Sequence, residues 1–157
     1  MSNTNLVLIE SPFARNKTNP LLTAAVHIQY LNTYLRESAL VHNEACYASH
    51  KFYTSFLDDT VEKERMLGIE YGLLWGKHAD KTVVAPDLGI SGGMLHGIRN
   101  AANARRPVIV RPLSIAGICE FRAITGLHSL KLMPSFDACK FILKEVPEIE
   151  GLISFSL

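Results

Sequence analysis

The chain alternates short, continuously apolar runs with longer segments whose apolar residues recur at helical spacing. The apolar runs cover residues 6–9, 82–85 and 107–110, and helical spacing covers residues 21–41 and 94–104. A strand that is apolar on both faces is typical of a parallel sheet covered by helices on both sides. Strand–helix alternation also favours right-handed crossovers and a doubly wound sheet. The sequence therefore predicts one α/β domain built on a parallel sheet.

Weaker patterns predict the remaining elements. Residues 44–50 are predicted to form a short strand, residues 51–57 an aromatic-rich loop, and the segment after them a helix that runs to about His78. The pattern loosens after Pro112, where residues 134–146 are predicted as a helix. Residues 152–155 are predicted as a last strand or a docking tail.

Length, charge and cysteine usage limit the possible function classes. The 157 residues suit one domain, with a core over residues 5–113 and a C-terminal extension over 114–157. Sixteen basic and fifteen acidic residues leave a net charge of +1, which argues against nucleic-acid or membrane partners. Three scattered cysteines have no zinc spacing, so we expect no metal, no cofactor and no disulfide scaffold. Lacking a signal peptide and an apolar run of membrane-spanning length, the chain is expected to be cytoplasmic.

Polar clusters follow three of the predicted strands. They are Glu10-Ser11-Pro12-Phe13, Ser49-His50 and the segment from Asp87 to Gly93. In open α/β sheets, ligands bind beyond the carboxyl ends of the strands. Because all three clusters fall at that edge, we expect Ser11, Pro12 and Phe13 to contact a ligand together with residues of the other two clusters.

The third cluster opens a helix with Ser91-Gly92-Gly93, followed by Met94. Glycines there let a ligand approach the backbone, and the free N–H groups of a first helical turn favour anions. The alternative is a tight turn in which Ser91 only caps the helix. Asp87 has two interpretations as well, because it could hold a sugar hydroxyl or cap the turn that contains Gly89.

His50 could donate to a phosphate or a base, or act as a general acid, or it could be a surface histidine. The other five histidines show no metal-ligand spacing and are expected to be structural or solvated.

Glu70 and Asp58 are the candidate catalytic carboxylates. Glu70 has Met66, Leu67, Leu73 and Leu74 at helical spacing, so it is expected to lie in an apolar stripe that raises its pKa. Alternatively, it is a boundary carboxylate paired with a basic neighbour. Asp58 precedes this helix, where capping accounts for Asp59 and Glu62 and leaves Asp58 to face a ligand.

The middle of the chain resembles an uncharacterised bacterial and phage subfamily of the nucleoside 2-deoxyribosyltransferase-like superfamily. The resemblance covers about residues 6–113. It lies in Ala48-Ser49-His50, Tyr53-Thr54, Leu57-Asp58-Asp59, Glu64-Arg65, Leu67-Gly68-Ile69-Glu70, Gly72, Trp75, Ala79-Asp80 and Asp87-Leu88-Gly89-Ile90-Ser91-x-Gly93-Met94. The opening Glu10-Ser11-Pro12-Phe13 is similar to the Gly-Pro-Phe/Tyr turn of the transferases, with Ser11 in place of glycine.

The resemblance implies a Rossmann-like or flavodoxin-like sheet and chemistry on an N-glycosidic bond. Transferases of this fold use a glutamate that forms a covalent deoxyribosyl intermediate, which a second base then attacks. That glutamate lies in the helix after the third strand. Here the corresponding Met94-Leu95-His96-Gly97 has no acid, so either Glu70 takes the role or the site binds without cleavage. The resemblance also implies a homodimer or higher homo-oligomer, to which the apolar C-terminal segment could contribute.

Three hypotheses follow for function. The first is an enzyme that cleaves an N-glycosidic bond or transfers deoxyribose on a nucleoside or nucleotide, with Glu70 as nucleophile or acid. The second is a protein that sequesters or senses a nucleotide without catalysis, such as a phage-encoded accessory protein. The third is an interaction protein that keeps the fold without the site.

Overall fold

The computed structural model describes residues 4–156 as a five-stranded sheet with helices on both faces. The strands are β1 (Leu6–Glu10), β2 (Ala45–Tyr47), β3 (Lys81–Val84), β4 (Val108–Val110) and β5 (Ile153–Phe155). The helices are α1 (Ala24–Leu40), α2 (Ser49–Tyr53), α3 (Glu62–Gly76), α4 (Gly92–Asn103), α5 (Ile115–Thr125) and α6 (Ser135–Glu145), with a 3₁₀ turn at Pro147–Ile149.

All five strands are parallel and lie in the order β2-β1-β3-β4-β5. This is the flavodoxin-like order, and it confirms the predicted doubly wound α/β sheet. The strand order reverses between β1 and β3, which pair from Val7 opposite Lys81 to Glu10 opposite Val84. Folds of this order bind ligands in the crevice at that reversal. The topology therefore places the end of β1 and the end of β3 at the same crevice.

Apolar side chains fill both sides of the sheet. Val7 and Ile9 of β1 belong to a buried cluster that includes Tyr30 of α1 and Phe121 of α5. Val84 and Val110 belong to a second cluster, with residues of α4 and α6. Alternating side chains point to opposite faces of a strand, so a strand covered on both faces is apolar throughout. This explains why β1, β3 and β4 were predictable from continuous apolar runs.

Some elements differ from the prediction. Residues 49–53 form the short helix α2 where a loop was predicted to begin, and α5 occupies part of the region where the apolar pattern loosens. Its start depends on one hydrogen bond, from the backbone N–H of Gly117 to the Ser114 hydroxyl at 3.0 Å. Helix α3 begins after Val61 without a side-chain cap, so the predicted capping role of Asp59 is wrong. The C-terminal segment pairs with β4 as β5, the first of its two predicted alternatives.

Candidate functional site

A cavity of about 880 Å³ lies beyond the carboxyl ends of β1 and β3. Its walls are the segment after β1, helices α2 and α3, and the segment from Leu88 into α4. The volume is within the range of small-molecule sites, and its place at the strand-order reversal is where this fold binds ligands. We call this cavity the β1/β3 pocket.

Most of the predicted ligand-binding residues line the β1/β3 pocket. They are Ser11, Pro12, Phe13, His50, Ser91, Gly92, Gly93 and Met94. Three separate strand-end segments therefore contribute to one cavity, as expected from the parallel sheet.

Asp87 is absent from the pocket wall because its side chain points into the core. It is only 4% exposed, and its Oδ2 accepts hydrogen bonds from the Tyr30 hydroxyl at 2.5 Å and from the Leu113 N–H at 3.0 Å. Burial raises the pKa of the Asp87 carboxyl, and these hydrogen bonds oppose that rise. The carboxyl joins α1 to the segment that precedes α5. The expectation that Asp87 would face the pocket with Ser11, His50 and Ser91 is wrong.

Glu70 is exposed on α3 and is not among the residues that line the β1/β3 pocket. Of its four apolar neighbours, Met66 and Leu74 are 56% and 49% exposed and Leu67 and Leu73 are only half-buried, so no buried apolar stripe surrounds Glu70. The buried side of α3 carries Gly72 and Gly76 instead. A Cβ at Gly72 would lie 2.7 Å from the Ser49 Cβ of α2, and one at Gly76 would lie 3.3 Å from Cδ2 of Leu8, so the two glycines mark where α3 packs on α2 and on β1. The predicted burial of Glu70 is therefore wrong.

Asp58 is also outside the pocket wall, and it stabilises a turn. Its exposed Oδ1 accepts hydrogen bonds from the Thr60 N–H at 2.9 Å and from the Thr60 hydroxyl at 2.6 Å. These bonds lower the pKa of the Asp58 carboxyl. Two nearby carboxylates, Asp59 and Glu64, do contribute to the pocket wall.

Glu10 is a third carboxylate in the pocket wall, beside Asp59 and Glu64, and the sequence analysis did not select it as a site residue. It ends β1, where it points to the same face as Leu8, and it neighbours Val84 of β3. Burial raises the pKa of Glu10 to about 8, although the positive charge of Arg106 acts in the opposite direction. At neutral pH the Glu10 carboxyl is mostly protonated and can donate a proton into the pocket.

The Glu10 carboxyl occupies space that Gly97 of α4 leaves open. A Cβ placed at residue 97 would overlap both oxygens of the Glu10 carboxyl. Gly97 lies in the four-residue segment where the resembling transferases carry their glutamate. Here the acid reaches the pocket from β1 instead of from α4.

Ser11 and His50 form a hydrogen-bonded pair in the pocket wall. The Ser11 hydroxyl lies 3.1 Å from Nε2 of His50, and the Phe13 ring meets the imidazole edge-on at 5.3 Å between centroids. Burial lowers the pKa of His50 to about 4, so the ring is neutral at neutral pH. The pair can accept or donate a hydrogen bond, and it has no positive charge to attract an anion.

The start of α4 has the properties of an anion site. The Ser91 hydroxyl accepts a hydrogen bond from the Met94 N–H at 3.3 Å, which confirms that Ser91 caps the helix. A Cβ at Gly92 would meet no atom within 4 Å, so packing does not require glycine at this position. Arg15 and Lys17 also line the pocket and can supply positive charge. Within residues 4–156 there is no group of three His, Cys, Asp or Glu side chains that could hold a metal ion.

A family model described as a domain of unknown function, DUF7768, matches residues 5–111. The chain belongs to this family. No curated protein and no solved structure matches the chain significantly. Apart from Met133, every residue that lines the β1/β3 pocket lies in the DUF7768 segment. The family description assigns no activity, so the resemblance to deoxyribosyltransferases stays a prediction.

Across residues 4–156, no helix is long and apolar enough to cross a membrane.

Glu10 and His27 are among the pocket residues that sequence reasoning missed, as are Arg15 and Lys17. Glu10 could have been found from strand parity, because it stands on the same face as Leu8 in an otherwise apolar run. His27 lines the pocket from α1. Its chain neighbours Val26 and Ile28 are both apolar, yet one is half-buried and the other exposed, so no sequence pattern indicates that His27 faces the pocket.

Proposed function

We propose that this protein binds a nucleoside or nucleotide in the β1/β3 pocket and cleaves its N-glycosidic bond with Glu10 as general acid. The proposal depends on one observation above all: the Glu10 carboxyl lies in the pocket wall, packed against Gly97 of α4, where burial raises its pKa to about 8. The flavodoxin-like strand order and the sequence resemblance support a nucleotide-sized ligand. Deoxyribosyl transfer differs from hydrolytic cleavage only in the molecule that accepts the sugar, which is a second base instead of water.

Cleavage needs a proton for the departing base, because an anionic base is a poor leaving group. The Glu10 carboxyl would donate that proton to the base nitrogen while the C1′–N bond breaks and its electron pair stays with the base. A water oxygen then bonds to C1′ and its proton returns to the Glu10 carboxylate. In a transfer reaction, the N–H of a second base takes the place of water, and Glu10 recovers its proton from that nitrogen.

The other walls of the pocket suit the remaining parts of a nucleotide. The Phe13 ring offers an aromatic surface for a base, beside the uncharged Ser11–His50 pair. The N–H groups at the start of α4, with Arg15 and Lys17, suit a phosphate or a sugar hydroxyl.

The test is the release of free base from deoxynucleosides, nucleotides and NAD, measured by chromatography. We expect Glu10→Gln to lower the rate by about 10²- to 10⁴-fold, the usual contribution of a general acid. Glu70→Gln is the matched control, because it makes the same change on the exposed side of α3 and should leave the rate unchanged. Wild-type rates in Glu10→Gln would exclude the mechanism.

Binding without cleavage is the second candidate, and one observation favours it. The twelve residues of α4 include no acid, so the glutamate nucleophile of the resembling transferases has no counterpart on that helix. A protein that sequesters or senses a nucleotide would release intact ligand when the protein purified from cells is denatured. Turnover of any N-glycoside in the assay above would exclude this candidate.

We also propose that two copies associate through the aromatic surface of α2 and α3. We define this surface by Phe52, Phe56, Tyr71, Leu74 and Trp75, of which Phe56 and Trp75 are each 62% exposed. Phe52 and Phe56 stack edge to face at 5.5 Å, and Tyr53 joins both of them to Tyr71. Large apolar surfaces of this kind mark interfaces. Because the pocket is lined by other residues of α2 and α3, a second copy there would border the site.

The cytoplasmic location expected from the sequence stays a prediction.

A further inference from the structure

His27 is buried beneath the segment that follows β1, and it forms part of the β1/β3 pocket wall. The residue is only 2% exposed. Its Nδ1 lies 2.8 Å from the backbone carbonyl oxygen of Ala14. The ring therefore contacts the segment that carries Phe13, Arg15 and Lys17 into the pocket.

The hydrogen bond to Ala14 settles which ring nitrogen carries the proton. A carbonyl oxygen can only accept, so Nδ1 must be the N–H donor. Burial lowers the pKa of His27 below its ordinary 6.5, although the backbone of Ala14 and of Phe13 acts in the opposite direction. The ring is therefore mostly neutral at neutral pH, and Nε2 holds a lone pair. Nε2 is thus a hydrogen-bond acceptor.

That acceptor has no partner among the residues that the structure describes. Buried polar atoms are nearly always hydrogen-bonded, because an unpaired one loses its interaction with water and gains nothing in return. His50 shows the usual arrangement, since its Nε2 is paired with the Ser11 hydroxyl. The unpaired Nε2 of His27 stands out for this reason, and its residue is part of a pocket wall.

We propose that Nε2 of His27 accepts a hydrogen bond from a donor group of the bound ligand. This inference rests on the proposed function and adds a specificity-determining residue to it. The donor is a hydroxyl of the sugar or an amino group of the base, since these are the neutral donors that a nucleoside presents. A ligand without that donor would leave the buried nitrogen unpaired and would bind more weakly.

Two substitutions separate this role from the structural role of the ring. His27→Asn places an amide nitrogen near the position of Nδ1, so it can keep the hydrogen bond to Ala14 while it removes the acceptor at the Nε2 position. His27→Gln extends an amide oxygen toward the Nε2 position and can restore the acceptor. Thermal unfolding of each variant checks that the fold is kept.

The experiment compares four probes by isothermal titration calorimetry with wild type and both variants. The probes are adenosine, 2′-deoxyadenosine, 3′-deoxyadenosine and purine riboside, which lacks the amino group of the base. For wild type, we expect one of the last three to bind about tenfold more weakly than adenosine, which identifies the donor. His27→Asn should weaken adenosine binding by about the same factor and should abolish the difference between adenosine and that probe. His27→Gln should restore part of the difference in affinity between adenosine and that probe.

Other results would overturn the inference. If His27→Asn keeps the wild-type order of the four affinities, or weakens all four equally, His27 acts on packing alone and only this inference fails. If wild type binds none of the four probes, this inference fails, and the proposed function fails with it only when no base is released from deoxynucleosides, nucleotides or NAD either.

Discussion

Glu10 combines two features that sequence reasoning treats as opposites, a charged residue type and an inward-facing strand position. Strand parity places it among apolar side chains, and burial then shifts the pKa of its carboxyl. Glu70 is the reverse case, since its apolar sequence neighbours are exposed. The environment of a carboxylate therefore depended on which face of its element was covered.

The stability of the protein should depend on pH through Glu10. Its pKa is about 8 in the folded state against an ordinary value of 4.5, so the folded state holds a proton that the unfolded state releases between these values. The free energy of unfolding should therefore fall as pH rises from about 4.5 to about 8. Glu10→Gln removes this loss. In urea denaturation, the free energy of unfolding of the variant relative to that of wild type should therefore increase as pH rises across that range. Glu70→Gln serves as the control. If the free energies of unfolding of Glu10→Gln and wild type differ by the same amount at every pH, the raised pKa of Glu10 is contradicted.

Gly97→Ala should displace the Glu10 carboxyl. The new Cβ would overlap both carboxyl oxygens, and the end of a glutamate side chain can move. Alanine is favoured over glycine within a helix by about 1 kcal/mol, so we expect α4 to remain folded. A carboxyl pushed toward water should have a pKa closer to the ordinary value, measurable by a ¹³C NMR titration of Glu10. Gly93→Ala is the control on the same helix, because its Cβ would approach only the Ser91 hydroxyl, at 3.9 Å. An unchanged Glu10 pKa in Gly97→Ala would contradict the packing.

Among the elements, strands were the most predictable and helices α2, α3 and α5 the least. β1, β3 and β4 are buried on both faces, so each appears as an apolar run. The buried side of α3 carries glycines, because α2 packs closely there, and large exposed residues on the other side obscured the pattern. α5 depends on the Ser114 cap and on Phe121. Hydrophobic spacing identifies a helix only when large residues are the ones that pack.

The stability of helix α4 should depend measurably on its N-cap residue, Ser91. Ser91→Ala removes the acceptor for the Met94 N–H and should lower the free energy of unfolding by about 1 kcal/mol. Ser91→Asp keeps an acceptor at the cap and adds a charge that suits the helix dipole, so it should keep most of the stability. Urea denaturation of both variants tests this. Equal losses in the two would show that another property of Ser91, and not its hydrogen bond, stabilises α4.

In the whole molecule, Asp87 acts as a structural connector. Its carboxyl ties the end of β3 to α1 through Tyr30 and to the segment before α5 through Leu113. Tyr30→Phe removes one of these hydrogen bonds at a buried carboxyl, so we expect a loss of about 1–3 kcal/mol in the free energy of unfolding. Tyr71→Phe removes a hydroxyl from an exposed residue of α3 and should change it little. Equal effects of the two changes in urea denaturation would contradict the role of Asp87.

Self-association can be tested on the aromatic surface of α2 and α3. We expect sedimentation velocity to show a dimer or larger species for wild type, and Trp75→Lys to shift it toward the monomer because a charge would be buried at the interface. Ile115→Lys changes a residue that is 87% exposed on α5, outside this surface, and should leave the species unchanged. A wild-type monomer, or dissociation by both variants, would contradict this interface.

The periodicity of the sequence was enough to predict the α/β class, the parallel sheet and the edge where the pocket lies. These features follow from burial patterns along single segments and from the common direction of parallel strands. Which carboxylate lines the pocket followed from packing between segments far apart in the chain. Glu10 reaches the pocket because Gly97 leaves space for it, Asp87 turns inward because Tyr30 and Leu113 bind it, and Glu70 stays exposed because glycines occupy the packed side of α3. Strand parity indicates the face on which Glu10 lies, but contacts of this kind depend on the shapes and directions of side chains from different elements, which a local pattern does not specify.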